Sequence, residues 1–553
     1  LSVSTGASVP FEVVFGLPHS HPKALEQAFW EISTPGSDKY LKHLSVREVE
    51  KLVGASTDDI EKTTAWLLTT FQPDRIQISP LNDSVTATFS AQKGSLWTKH
   101  GLPRKHTHPL PFDFVLRRDP RVSVPGGEFG APSKKRQVPS LTGAYSIEAQ
   151  KRAYGIPVSL ESSNETTLQM VWGPGTFGYD PSQLAQLKES ECPLLNLSKV
   201  KFDTPNHGTP GGDNWMEGNL DVSMISTFGL NVETLVSNTN TSASTEEGNG
   251  FGQAMLDFVT ELAGRDIVPQ VLSISLGSLS AHSCDALVDG CVKAGHEKVD
   301  CAAYLQHQRQ VCMFLSEDQL KRINAAFQIL GVRGVSVFGS SGDGGSHFSF
   351  QPFGELNPIG AAMNKVSCQL NLPVFPTTSP YVTSVGGTDW QGWPTPDSSR
   401  PEAWSGSGGG FSWEFKRPAH QEEAVSAYLT AQNGSASFPP PGSFNQNGRA
   451  YPDISAVSVE GTSQSSPTIA GIFSMVTDHR LNKGLPPLGF LGPRLYKMNM
   501  KYPGDAFEDI TKGNTKTSCP TGFPAVKGWD PVTGFGRPVW AGLLKHFGDD
   551  AEV

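Results

Sequence analysis

The chain has 553 residues, 37% of them hydrophobic, with 57 glycines, 42 prolines and a formal charge of −10. That length supports a large core and more than one domain, and the composition is that of a loop-rich globular protein, neither disordered nor fibrous. The acidic balance argues against nucleic acid as a partner, and no uninterrupted apolar run is long enough to span a bilayer, which argues against a membrane protein.

Residue 1 is leucine, which reads as a trimmed start or a fragment; a secretory signal, if one was present, has gone. Residues 8–120 have their own rhythm: "PFEVVFGLP" as a strand, "PKALEQAFWEIS" as a helix, two helices in "SVREVEKLVGASTDDIEKTTAWLLTTF", and "SVTATFSA" as a strand. Interleaved in this way they predict a small α/β sandwich. The following stretch, 119–143, is rich in Pro, Gly and Ser, lacks periodicity and carries a basic "KKR" at 134–136. It reads as a linker with an exposed protease target. Beyond residue 145, helices alternate with short apolar strands, as in "FGQAMLDFVTELAG" before "VPQVLSISLG". Similarly, "SEDQLKRINAAFQILG", with a capping-box pair at Ser316 and Gln319, precedes "VRGVSVFGSSGDGG". This order predicts a parallel sheet covered on both faces, with sites at the C-terminal ends of its strands.

The sequence contains seven cysteines, and four of them (Cys284, Cys291, Cys301, Cys312) crowd into 29 residues. In an oxidising compartment these predict two local disulfides in a surface insertion, with the pairing open. Five N-x-S/T sequons, at Asn82, Asn164, Asn196, Asn240 and Asn433, point the same way.

Three segments carry chemistry. In "DNWMEGNLDVSMISTFGL" (213–230), Met216, Leu220, Met224 and Phe228 form one helical stripe expected to face the core. Glu217 and Asp221 lie one position over, four apart, and no Lys or Arg occurs from Phe202 to Gly264 to neutralise them. Burial and mutual repulsion would make such a pair titrate as a unit. Asp343 follows an apolar strand in "SSGDGG"; it is either a turn residue or, protonated, a donor to a developing oxyanion. Ser463 opens a helix in "EGTSQSSPTIAG" and needs a base within reach to act as a nucleophile. "NHGTPGG" (206–212) offers His207 as that base, but Pro-Gly-Gly follows it where a helix is needed, so His207 is read as a loop residue.

Together, "EGNLD", "SSGDGG", "GTSQSSP", "SPYVTSVGGT", "GGGFSWEFKRPAHQEEAV", "GRAYPDIS", "LPPLGFLGPRLY", "EDIT" and "GWDPVTGFG" resemble, in order, the sedolisin (serine-carboxyl) peptidases, particularly their tripeptidyl-peptidase 1-like branch. The similarity runs over most of 145–548 and more loosely over 8–120. It implies a subtilisin-like parallel sheet flanked by helices, preceded by an α/β-sandwich propeptide (1–120), a linker with the activation cleavage (121–143) and a catalytic domain (144–553). It also implies Ser463 as nucleophile, Glu217 as general base, Asp221 as the residue orienting it, and Asp343 completing the oxyanion hole. Substrate backbone would pair along Ser275 and Gly277 in "SISLG" and along Gly408 and Gly409 in "SGSGGGF". One Ca²⁺ would be held by the side chains of Asp509 and Asp530 and the carbonyls of Ile510, Val526 and Gly528, an all-oxygen set.

The activity so implied is an acid-acting peptidase made as a zymogen, with its propeptide as intramolecular inhibitor and peptides or proteins as substrates. It would be secreted or sit in a lysosome- or vacuole-like compartment. The motifs are shared by tripeptidyl-peptidases and endopeptidases, and oligomeric state is left open. One departure stands out. Only nine residues (454–462) separate Asp453 from Ser463, where relatives have a longer insert with an extra strand, and Glu460 stands where they usually have Gly or Ser. Either loss of that strand misplaces Ser463 and leaves an inactive, peptide-binding sedolisin-like or splice-altered protein, or the sequence is mis-predicted at an exon boundary.

Overall fold

The computed structural model describes residues 10–90, 112–118, 143–204, 213–239, 250–307, 311–313, 315–347, 358–392, 396–432, 435, 437–459, 461–517 and 519–550. The 134–136 basic cluster, His207, Glu460 and the sequons at Asn240 and Asn433 lie outside these residues. No helix among them is long and apolar enough to cross a membrane.

The N-terminal layer is an antiparallel sheet of β1 (Phe11–Gly16), β2 (Arg75–Ile78), β3 (Ser84–Phe89) and β4 (Phe114–Arg118), in the order β2-β3-β1-β4. In β1 the alternation expected of a strand buries both faces. Phe11, Val13 and Phe15 pack with Leu67 of the Thr57–Thr70 helix. Val14, with Leu116 of β4, packs instead into a cluster that includes Phe258, Ile323 and Phe327 from the second domain. The sandwich therefore completes its second face with helices Gly250–Ala263 and Glu317–Val332 of that domain. The latter helix starts at the capping box of Ser316 and Gln319 read from the sequence.

One buried guanidinium ties the layers together. Arg322 is 3% exposed and donates to the Leu17 and Asp83 carbonyls (2.9 and 2.8 Å) and to the Asp83 carboxylate (2.6 Å). Burial alone would raise the Asp83 pKa, but the charge of Arg322, helped by His19 and Ser79, holds it well below the ordinary value. Two histidines of the N-terminal layer are buried at the same junction. His19 lies 3.4 Å from Asp83, and His43 Nε2 is 2.8 Å from the Pro487 carbonyl. Burial lowers the pKa of both, and Arg322 adds to the effect at His19.

The second domain is built on β5 (Leu168–Pro174), β6 (Val200–Phe202), β7 (Glu233–Thr239) and β8 (Val271–Ile274). After the short β9 (Ser278–Leu279) come β10 (Ser336–Ser340), β11 (Val374–Phe375), β12 (Thr383–Trp390) and β13 (Pro401–Ala403), then β14 (Gly410–Lys416), β15 (Gly448–Tyr451) and β16 (Ile454–Val457). The sheet order is β13-β12-β10-β8-β5-β7-β6, with β16 also on β12, and every pairing is parallel except β12 with β13. β8 and β10 are buried at every residue, as a sheet with helices on both faces requires. The small pairs β9–β11 and β14–β15 lie outside it.

β16 bears on the shortened segment. Asp453, just before it, accepts from Ser384 N (2.7 Å), Arg449 Nη2 (2.6 Å) and Tyr496 Oη (2.9 Å), which pins "PDIS" beside β12. The chain then runs from β16 into the Thr462–Asn482 helix, and residues 454–457 keep the sheet paired. Residues 454–457 themselves form the strand next to β12.

Cys284–Cys312 and Cys291–Cys301 are the two local disulfides, now paired. A third, Cys368–Cys519, spans 151 residues and was out of reach of any spacing argument. Cys192 is free and buried.

Two outcomes are expected at the junction. Arg322→Ala strands the Asp83 carboxylate and should cost about 3–5 kcal/mol, read as a lowered unfolding midpoint of the intact chain. The histidine pKa values are lowered in the docked state, so docking is fully supported above their free value of about 6.5 and weakens as pH falls below it. Protein nicked between residues 121 and 143 should dissociate more readily on size exclusion at pH 5 than at pH 7, and a His19→Asn/His43→Asn double variant should narrow that difference.

Candidate active site

The Asp213–Phe228 helix reaches its place because it carries no side chain at one contact. A β-carbon on Gly218 would stand 2.0 Å from the Gly178 carbonyl oxygen, so only glycine lets this helix lie against the loop after β5. Asn219 reinforces the contact by accepting from Asp180 N at 2.6 Å. Of the apolar stripe read from the sequence, Met224 and Phe228 are buried and Leu220 partly so, but Met216 is 39% exposed because the first turn runs out to the surface. Asp221 lies deeper than the edge position expected for it. It is 0% exposed, Oδ1 accepts from Ser275 Oγ at 2.7 Å, and buried Oδ2 has no hydrogen-bond partner. Glu217, half-buried, lies one turn earlier. Burial, then the charge of Glu217, raises the Asp221 pKa well above the ordinary carboxylate value, against the donation from Ser275.

The Thr462–Asn482 helix brings Ser463 to the same place. Gly471 lets it close on the acid helix, since a β-carbon there would lie 2.8 Å from the Ile225 carbonyl oxygen. Its N-cap, Gly461, has φ +97°, and a β-carbon on it would stand 2.5 Å from Asp343 Oδ2. Ser463 is the second residue of the helix and half-buried, and its Oγ donates to the Ser275 carbonyl at 3.3 Å. Its position lets the positive end of the helix face negative charge developing at the hydroxyl.

Asp343 is exposed on its turn, and Oδ1 accepts from both Thr462 N (2.7 Å) and Thr462 Oγ1 (2.9 Å). Thr462 Oγ1 in turn accepts from Gly342 N at 3.0 Å. Gly408 and Gly409 donate their amides to the Gly342 and Gly345 carbonyls (2.7 and 3.2 Å), and β-carbons on them would strike the Ser341 and Pro531 carbonyl oxygens. In this structure they lace the Asp343 turn to its neighbour. Gly277 is half-buried, with the Phe375 carbonyl oxygen 2.9 Å from where its β-carbon would be. Strand β8 itself ends at Ile274, before Ser275 and Gly277.

The structure thus gathers Ser463, Asp221, Glu217, Ser275 and Asp343 at the C-terminal ends of β8 and β10. Sequence reasoning overlooked Thr462, the hydroxyl of Ser275, and the Thr515–Thr517 loop, where the Thr515 carbonyl accepts from Ser346 N (3.0 Å) and Thr517 Oγ1 donates to the Gly344 carbonyl (3.0 Å). Thr462 was signalled by its place between Gly461 and Ser463; nothing local signalled the loop.

The C-terminal acidic residues form a second cluster. Asp530 is fully buried, with Oδ1 accepting from Val532 N and Thr533 N (3.0 and 2.9 Å) and Oδ2 from Val526 N (2.9 Å). Asp509 Oδ2 accepts from Gly528 N (2.7 Å), while Oδ1 is buried without a partner. Burial pushes Asp530 up to about 8, against its backbone donors, and the Asp509 charge adds to this. Two neighbouring carboxylates, one with an orphaned oxygen, fit a hard divalent cation with oxygen ligands. The half-buried Val526, exposed Gly528 and buried Ile510 flank them. The cluster also backs the Asp343 turn, because the Val532 carbonyl accepts from Ser407 Oγ at 2.6 Å and Pro531 abuts Gly409.

Residues 2–95 match the family model described as "Pro-kumamolisin, activation domain". Tripeptidyl-peptidase 1 of Bos taurus is 28% identical over 605 residues, covering 98% of this chain and 93% of the relative. The Homo sapiens protein of that name is 28% identical over 594 residues with the same coverage. Among solved structures, Pseudomonas sedolisin (serine-carboxyl proteinase) overlaps 73% of this chain and 97% of its own, at 19% identity and a TM-score of 0.47. The chain thus matches an activation-domain family at its start and is similar to tripeptidyl-peptidase 1 along nearly its whole length.

Proposed function

We propose that the chain is an acid-acting serine-carboxyl peptidase made as a zymogen, and that the mature enzyme releases tripeptides from free N-termini. The observation that carries this reading is the contact series Asp221–Ser275–Ser463, with Asp343 bound to the residue next to Ser463. The names of the near full-length relatives favour tripeptide release.

In the mechanism, substrate occupies the end of β8 and the Ser463 hydroxyl turns from the Ser275 carbonyl to Glu217. Glu217 takes the Oγ proton as Oγ attacks the scissile carbonyl carbon, and later returns it to the leaving amine. Asp221 keeps its own proton to higher pH than an ordinary carboxyl does, which leaves the charge of the pair to Glu217. Asp343 donates the proton on its second oxygen to the oxyanion, Oδ1 being engaged by Thr462. Water then cleaves the acyl-enzyme with Glu217 again as base. The rate requires one carboxylate ionised and another protonated, so it rises as Glu217 loses its proton and falls as Asp343 loses its own. That confines activity to acid pH.

Residues 1–120 would act as inhibitor through the docked sandwich, 121–143 would carry the activation cleavage, and 144–553 would form the mature enzyme. A compartment that is oxidising and then acidic, lysosome-like, vacuole-like or extracellular, suits three disulfides and this chemistry. Gly408 and Gly409 would support the substrate edge from behind, and Gly277 would border it. Asp509 and Asp530, with the carbonyls of Ile510, Val526 and Gly528, would hold Ca²⁺. When bound, it would supply the positive charge that lets both carboxylates stay ionised and would fix the loop behind Gly409.

Ser463→Ala and Glu217→Gln should each lower kcat on a fluorogenic tripeptide with a free N-terminus by at least about 10³-fold at acid pH, while His207→Ala leaves it intact. Loss with His207→Ala and tolerance of Glu217→Gln would contradict the assignment. Faster cleavage of an N-terminally blocked, internally quenched peptide would identify an endopeptidase. Folded, processed protein inert to both substrates would be a binding protein. A chelator should lower the unfolding midpoint of the wild type but scarcely move that of Asp530→Asn, as read by scanning fluorimetry; equal shifts in both would remove the cation from this cluster.

A further inference from the structure

Ser275 was read from the sequence as part of a backbone edge for substrate, but its side chain faces inward. The residue is 5% exposed, and its hydroxyl donates to Asp221 Oδ1 at 2.7 Å. The same oxygen stands 3.4 Å from the carbonyl of Ser463. In a continuous helix that carbonyl would accept from the amide four residues on, but residue 467 is proline and has no N–H to give. The Ser275 carbonyl meanwhile accepts from Ser463 Oγ (3.3 Å) and Ser340 Oγ (2.8 Å). One residue thus touches Asp221 of the carboxyl pair and both ends of the nucleophile.

We propose that Ser275 is a positioning residue of the catalytic machinery: its hydroxyl fixes Asp221 so that the shared proton of the pair resides on Oδ2, and its carbonyl holds the Ser463 hydroxyl until substrate arrives. This rests on the reading of the site given above. Oδ1 is an acceptor because Ser275 donates to it. Oδ2 is buried with no hydrogen-bond partner among the described residues, where a bare anionic oxygen is costly and a protonated one is less so. The charged group bearing on Asp221 is Glu217, from the same helix. The end of β8 and the nucleophile helix, packed against it, present the hydroxyls and carbonyls of Ser275 and Ser463. The hydroxyl donation favours ionised Asp221, so its removal tightens the hold of the pair on protons.

The test is Ser275→Ala, with Ser275→Cys as a variant of nearly unchanged shape. In the matured enzyme both should shift the acid limb of the kcat/KM profile upward by about one pH unit and lower kcat with little change in KM. In Ser463→Ala zymogen, which needs no turnover, adding Ser275→Ala should raise the Asp221 titration midpoint read by carboxyl ¹³C NMR. An unmoved acid limb and an unmoved titration, with Ser463→Ala and Glu217→Gln still inactive, would overturn the role of Ser275 and leave the peptidase reading standing. If those two variants instead kept full activity, the peptidase reading would fall; the NMR shift would still decide whether Ser275 governs the proton on Asp221.

Discussion

The structure turns on a carboxyl group that has been taken out of water without a cation to accompany it. Asp221 is fully buried, Glu217 is one turn away, and the 63 residues from Phe202 to Gly264 contain no Lys or Arg. An ion pair would have settled the charge and ended the chemistry, because a carboxylate neutralised by a guanidinium is a poor base. Arg322 with Asp83 makes that contrast within the same chain: there a paired carboxylate serves docking and keeps its charge. At Asp221 the charge is held down by burial and by a like neighbour, and a single hydroxyl limits how far.

The surrounding fold meets that constraint with glycine and proline. Gly218 and Gly471 remove side chains where the acid helix must touch its neighbours, and Gly461 takes a left-handed conformation beneath Asp343. Pro467 frees the carbonyl that Ser275 approaches. Further out, the Asp530 loop backs Gly409, which laces to the Asp343 turn. A carboxylate cluster remote in sequence is thereby mechanically joined to the Asp343 turn.

Local patterns made much of this legible. Alternation of helices with apolar strands gave the parallel sheet, and spacing put Glu217 and Asp221 on one helical face. The Ser316–Gln319 box marked a helix start, and four crowded cysteines marked an insert. What stayed hidden depends on distant segments meeting. Cys368 and Cys519 are far apart in the chain, and Thr515 and Thr517 prop Gly344 to Ser346 from a loop with no motif of its own. Met216 obeyed the apolar period but lies where the helix leaves the core. The course of the short 454–462 segment was hidden for a similar reason. Counting residues shows that the segment is short, but only the structure shows that Ile454–Val457 pair with β12.

The account predicts that Ser463 is nucleophilic only when a carboxyl partner is ionised. The most direct measurement is covalent labelling of the acid-matured enzyme with a tripeptidyl fluorophosphonate, mapped by mass spectrometry and timed from pH 3 to pH 8. Label on Ser463, fastest in the acid range and lost in Glu217→Gln, is the expected result. Label on another residue, or on Ser463 at a rate that Glu217→Gln leaves unchanged, would contradict the account at its centre.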